Sequence, residues 1–121
     1  MEIQPANIWG KTIQDIKYSF EMDGAVLTLV PPKSSTSGLA QVYSVKNSAT
    51  GIKEFEYHPG GGTHSSDGVR YYKIVMNDGT QFRIIDPNKS FKPGTITSNQ
   101  IYLNPNGQKL KYENGKWEIW K

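Results

Sequence analysis

Residues 52–85 read IKEFEYHPGGGTHSSDGVRYYKIVMNDGTQFRII, and their pattern points to a sheet. Residues 52–57 alternate, with Ile52, Glu54 and Glu56 expected on one face and Lys53, Phe55 and Tyr57 on the other. That period of two is the signature of a half-buried strand. Residues 69–76 and 80–85 are rich in Val, Ile, Tyr and Phe, side chains that fit a pleated surface. Between them stands Asn77-Asp78-Gly79. An Asp-Gly pair tolerates the positive φ of a tight turn, so the two runs read as a β-hairpin. Residues 58–68, HPGGGTHSSDG, are expected as a loop, and Asp86-Pro87-Asn88 as the close of the hairpin.

Outward from this stretch, one helix is expected at residues 12–23. Thr12 is its N-cap, with Asp15 three residues on as a partial capping box. Ile13, Ile16 and Phe20, with the stem of Lys17, fall on one face, and Gly24 supplies the stop. So short a helix needs a sheet to pack on. Residues 25–30 (AVLTLV) read as a strand ended by Pro31-Pro32, residues 33–38 as a polar loop, residues 39–45 as a second strand and residues 47–51 as a turn. Residues 90–99 are expected to be irregular. Beyond them, Asn106-Gly107 and Asn114-Gly115 separate residues 101–103, 109–112 and 117–120 into a small meander. The expected fold is α+β: an N-terminal helix packed on a twisted antiparallel β-sheet, with a C-terminal β-meander, in one domain over residues 1–121.

Bulk properties narrow the function. The formal net charge of +3 fits a nucleic-acid partner and equally an ordinary, slightly basic soluble domain. There is no cysteine, which excludes disulfide staples and thiolate zinc sites. No apolar run approaches the ~20 residues of a membrane span. Residues 1–9 lack a charged n-region followed by an apolar h-region, so they do not read as a signal peptide.

His58 and His64 are the only histidines, and they flank Gly60-Gly61-Gly62. Glycines let backbone N–H groups approach an anion. Two imidazoles give and take protons near neutral pH, which is what cleavage of an RNA phosphodiester requires. One group removes the 2′-OH proton, another protonates the leaving 5′ oxygen, and a cation stabilises the charge on phosphorus. Arg70, Lys73 and Lys11 are candidates for that cation, and Thr63, Ser65, Ser66 and Asp67 crowd the same loop. The same residues also read as a solvated hairpin connection. His58, His64 and Asp67 read alternatively as ligands of a divalent ion, although their spacing matches no metal motif. Tyr71 and Tyr72 alternate faces, so one is expected in the core and the other is free to stack on a base. Trp9, Trp117 and Trp120 read as core or rim packing, and Lys109, Lys111, Lys116 and Lys121 make the meander basic.

Three segments occur in an order that resembles a known group: Gly10-Lys11-Thr12 with Asp15-Ile16 opening a helix; residues 34–41 (SSTSGLAQ); and HPGGGTH at residues 58–64 followed by Tyr71-Tyr72-Lys73-Ile74 and Arg83-Ile84-Ile85-Asp86. Together, over residues 10–86, they resemble the C-terminal toxin domains of bacterial polymorphic toxins of the LXG, WapA and Rhs kinds. Such domains commonly have the barnase–EndoU–colicin E5–RelE ribonuclease fold. The resemblance implies a metal-independent endoribonuclease without cofactor, acting on RNA, with tRNA the expected substrate. It supports His64 first, then Tyr72 and Lys73, as catalytic residues beside His58. Lys11, Thr12, Ser37, Gln41, Thr63 and Arg70 are the expected substrate contacts. It implies further that the chain is monomeric when free, is secreted as part of a larger protein, acts in a target bacterium's cytoplasm and is held by an acidic immunity protein. A metal-dependent DNase toxin and a non-enzymatic binding module are the alternatives.

Overall fold

The computed structural model describes residues 9, 13–30, 41–48, 51–60, 67–89 and 91–120. Among these, the chain forms one helix, α1 (Ile13–Met22), and eight strands: β1 (Val26–Val30), β2 (Gln41–Lys46), β3 (Ile52–Gly60), β4 (Asp67–Met76), β5 (Gln81–Ile84), β6 (Gln100–Leu103), β7 (Lys109–Glu113) and β8 (Lys116–Ile119). The strands form one sheet in chain order. The architecture is α+β, dominated by the sheet, and ends in a strand meander. Thr12 as N-cap, the polar loop of residues 33–38 and the glycine loop's centre, residues 61–66, lie outside the described residues. No described helix is long and apolar enough to cross a membrane.

The helix ends as its sequence dictates. Gly24 adopts φ 85°, Ala25 N–H donates to the Phe20 carbonyl at 3.0 Å and Gly24 N–H to that of Glu21 at 3.0 Å. This crossed pair caps carbonyls that the helix leaves without partners. Ile16 and Phe20 then pack onto Val45, Ile52, Phe55, Tyr72, Ile74 and Ile84, forming the main core. Phe20 meets Phe55 at 6.0 Å between ring centroids.

Two features depart from the sequence reading. Ile52 pairs with Met76, but Glu54 pairs with Val75, so Lys53 is an extra residue in β3. A bulge of this kind reverses the alternation. Ile52 therefore shares the helix face with Phe55 instead of lying with Glu54 and Glu56, and Lys53 is exposed. The sheet is also not wholly antiparallel, because β5 and β6 run parallel, with Arg83 opposite Tyr102. A parallel pair needs a crossover of a dozen or more residues, and the chain between Ile84 and Gln100, with residues 90–99 expected to be merely irregular, supplies it. That crossover is anchored by Ile85 and Phe91, which join Tyr71, Tyr102 and Leu110 in a second core on the sheet face away from α1.

Candidate active site

The face away from α1 is set by register. Glu56 pairs with Lys73, Lys73 with Arg83 and Arg83 with Tyr102. Four neighbouring strands thus present an unbroken cross-strand row: carboxylate, ammonium, guanidinium, phenol. Neighbouring strands are about 4.8 Å apart, so the row spans about 15 Å. Glu56, Lys73 and Arg83 are half-buried. Among the described residues no ion pair within 4.0 Å joins Glu56 to Lys73 or Arg83, so these charges are not consumed by one another.

His58 lies two residues beyond Glu56 on the same strand. The loop expected from residue 58 begins later, because β3 continues through His58 to Gly60. His58 is 7% exposed and its ring stacks on its register partner Tyr71, centroids 4.9 Å apart and planes 10° from parallel. The register shifts again between His58 and Gly60, which accommodates Pro59, a residue with no N–H to give to a ladder. Bulges re-aim side chains where a strand meets a site.

Arg83 is partly satisfied. It donates from its two terminal nitrogens to the Tyr102 hydroxyl and to Gln81 Oε1, both at 3.4 Å, and its guanidinium lies 5.8 Å from the Tyr102 ring centre. Its Nε is buried and has no hydrogen-bond partner among the described residues. Leaving a buried donor unpaired costs about 1–3 kcal/mol, and more for a charged group. The Nε is closed to solvent, so an anion on this face would be met by the terminal nitrogens, whose present bonds are long.

The surrounding phenols report the same field. Burial, then the Glu56 carboxylate, pushes the Tyr71 hydroxyl up to about 12; Arg83 pulls it partly back and Tyr102 raises it further. Burial raises Tyr102 as well, opposed by the charge and hydrogen bond of Arg83. Both phenols therefore stay protonated at neutral pH and remain hydrogen-bond donors.

The sequence-derived candidates separate. Lys73 stands in the row. Tyr72, its neighbour, points to the helix face, as period two requires. It is 1% exposed, wedged against Tyr57 (5.2 Å) and Trp9 (5.6 Å). Tyr71, not the catalytic candidate Tyr72, stacks on His58. Arg70 is exposed and its guanidinium lies 5.1 Å over the Trp9 ring. Gln41 is exposed at the start of β2, where its Oε1 accepts from the Tyr43 hydroxyl at 3.5 Å. It pairs with Tyr57, a partner on the helix face, so Gln41 and Arg70 do not join Lys73. Lys11, Thr12, Ser37, Thr63 and His64 lie outside the described residues. So does much of the alternative metal set His58, His64 and Asp67. Among the described residues no three His, Asp or Glu side chains gather to hold an ion.

Sequence reasoning passed over Glu56 and left Arg83 without a role. The signal lay in Glu54-x-Glu56-x-His58, three polar side chains at period two, and in an arginine inside an otherwise apolar strand. Comparisons of the chain with protein families, with curated proteins and with solved structures find no match.

Proposed function

We propose that this chain is a metal-independent endoribonuclease that cleaves RNA on the face carrying Glu56, Lys73 and Arg83. The observation that carries the reading is the row itself: a carboxylate, then two cations, one of them with an unpaired buried donor. Glu56 takes the proton from a 2′-OH, whose oxygen attacks phosphorus as the P–O5′ bond breaks. Lys73 and Arg83 stabilise the charge that develops on the phosphoryl oxygens. The leaving O5′ takes its proton from a histidine, either His58 on the same face or His64 in the connection that follows. The products are a 2′,3′-cyclic phosphate and a 5′-hydroxyl. Resemblance to polymorphic-toxin domains supports the same activity, with tRNA as substrate and a small acidic immunity protein as partner. A net charge of +3 suits both.

The test is incubation of purified protein with total RNA and plasmid DNA, with and without EDTA. RNA should be cut in EDTA, and a 2′-deoxy substitution at the cut site should stop the reaction. Glu56→Gln should lower kcat by about 100-fold or more. Comparing His58→Ala with His64→Ala identifies the proton donor, because the variant that loses the basic limb of the pH–rate profile lacks it. Degradation of plasmid DNA only when a divalent ion is added, with RNA untouched, would overturn the reading in favour of a metal-dependent DNase.

A further inference from the structure

The crossover and the β7–β8 hairpin enclose a cleft of about 350 Å³ that the row does not use. Tyr112 and Trp117, both half-buried, supply its aromatic surface, backed by the buried Phe91, and Lys89, Lys92 and Lys116 line it as well. Among the described residues no acidic one lines it. The walls are held in place: Trp117 Nε1 donates to the Phe91 carbonyl at 3.0 Å, and the Trp117 ring meets those of Tyr112 at 4.8 Å and Tyr102 at 4.9 Å. The volume is in the range of small-ligand sites, about 300–1,000 Å³. The half-buried rings of Tyr112 and Trp117, with lysines beside them and no carboxylate among the described lining residues, suit a planar, anionic ligand: a nucleotide whose base stacks and whose phosphate faces ammonium groups.

Its place relative to the row matters most. Phe91 contacts Tyr71 at 5.0 Å and Trp117 contacts Tyr102. Tyr71 stacks on His58, and Tyr102 ends the row of Glu56, Lys73 and Arg83. The rings of Phe91, Tyr71 and Tyr102 are buried, and their packing fixes the cleft's wall against the proposed cleavage site. The cleft therefore lies one ring contact beyond Tyr71 and Tyr102, beside the row on the same sheet face.

We propose that this cleft is a subsite for an unpaired nucleotide of the RNA flanking the cut. As a subsite it rests on the ribonuclease reading, but its affinity for single strands is measurable without cleavage. Binding of an uncleavable 2′-O-methyl oligonucleotide is followed by tryptophan fluorescence over a series of salt concentrations, for the natural protein and for Lys89→Gln/Lys116→Gln. Both lysines are exposed, so thermal unfolding should be unchanged. The double variant should bind about tenfold more weakly, and the slope of log K against log salt should shrink by about 1.4, two single-strand contacts' worth. Cleavage of a dinucleotide, too short to reach the cleft, should be equal in both proteins, while KM for a longer RNA rises in the variant. Unchanged oligonucleotide affinity and slope overturn the subsite, whatever cleavage shows. Loss of dinucleotide cleavage in the variant also overturns it, because the lysines would then belong to catalysis. A weakened grip on the oligonucleotide in a protein that cuts no RNA keeps the cleft and removes the ribonuclease.

Discussion

The two faces of the sheet are built from the same strands and both bury a core, but the face away from α1 also carries the charged row. Toward α1, Phe55, Tyr72, Ile74 and Ile84 are each 1% exposed or less, and their rings and branched chains interlock with Ile16 and Phe20. On the other face the residues one step along, Glu56, Lys73 and Arg83, carry charge and are half-buried. The first arrangement minimises free energy. The second includes a buried guanidinium nitrogen with no partner among the described residues, which packing alone does not explain. Polar groups held against the interest of stability mark places where the chain is shaped for something other than folding.

The sharpest test of that contrast exchanges stability for activity. Phe55→Ala removes a ring from the centre of the helix-face core and should cost about 3–5 kcal/mol, read from the urea midpoint. A loss under about 1 kcal/mol would mean that this face is not the stabilising one. Arg83→Met keeps length and apolar stem but removes the unpaired donor. Stability should stay within about 1 kcal/mol or rise, while RNA cleavage falls about 100-fold or more. Equal losses of both would make Arg83 a structural residue.

A smaller effect is expected at the turn that sets the register of Lys73 with Arg83. Gly79 adopts φ 93°, with open space where a side chain would stand. Gly79→Ala should therefore cost about 1–2 kcal/mol through backbone strain alone, checked by chemical denaturation, with cleavage kinetics preserved if the register holds. The smallest effect is confined to alkali. The Tyr71 hydroxyl is raised from 10.0 to about 12, so between these values the unfolded chain has released a proton that the folded one retains. Its contribution is complete below pH 10 and disappears as pH climbs to about 12. Tyr71→Phe should flatten that decline in a plot of denaturation midpoint against pH; an unchanged decline would assign it to other groups.

Much of the architecture was legible in the sequence because it is written in local terms. The helix stop at Gly24, the turns at Asp78-Gly79, Asn106-Gly107 and Asn114-Gly115, and the alternation of residues 69–76 depend on nearest neighbours. What stayed hidden depends on pairing at a distance. Lys53 as a bulge cannot be told from a regular strand residue until Ile52 is seen opposite Met76. The parallel β5–β6 pair has no signature in either strand. The candidate site failed in the same way: Tyr72-Lys73 looks like a functional pair in one dimension, yet adjacent strand residues face opposite sides. Conversely Glu56, Lys73 and Arg83 are far apart in the chain and become neighbours through register alone. The glycine loop drew attention to His58 for its place in a turn, whereas the histidine proves to be a strand residue stacked on Tyr71.

The chain-order sheet also bears on how the protein folds. Most strands pair with the strand that precedes them through a short reversal, so closure entropy is met in small instalments and pairing can spread from one hairpin to the next. The β5–β6 junction breaks this regularity. Its strands meet side by side only after residues 85–99 have travelled back along the sheet, with Ile85 and Phe91 finding Tyr71 and Tyr102 on the way. The chain can zip up to Ile84 and, separately, from Gln100 onward, but the two halves join through that one longer closure. Folding kinetics should then register the crossover as the slow step, sensitive to Phe91 and indifferent to the tips of the hairpins on either side.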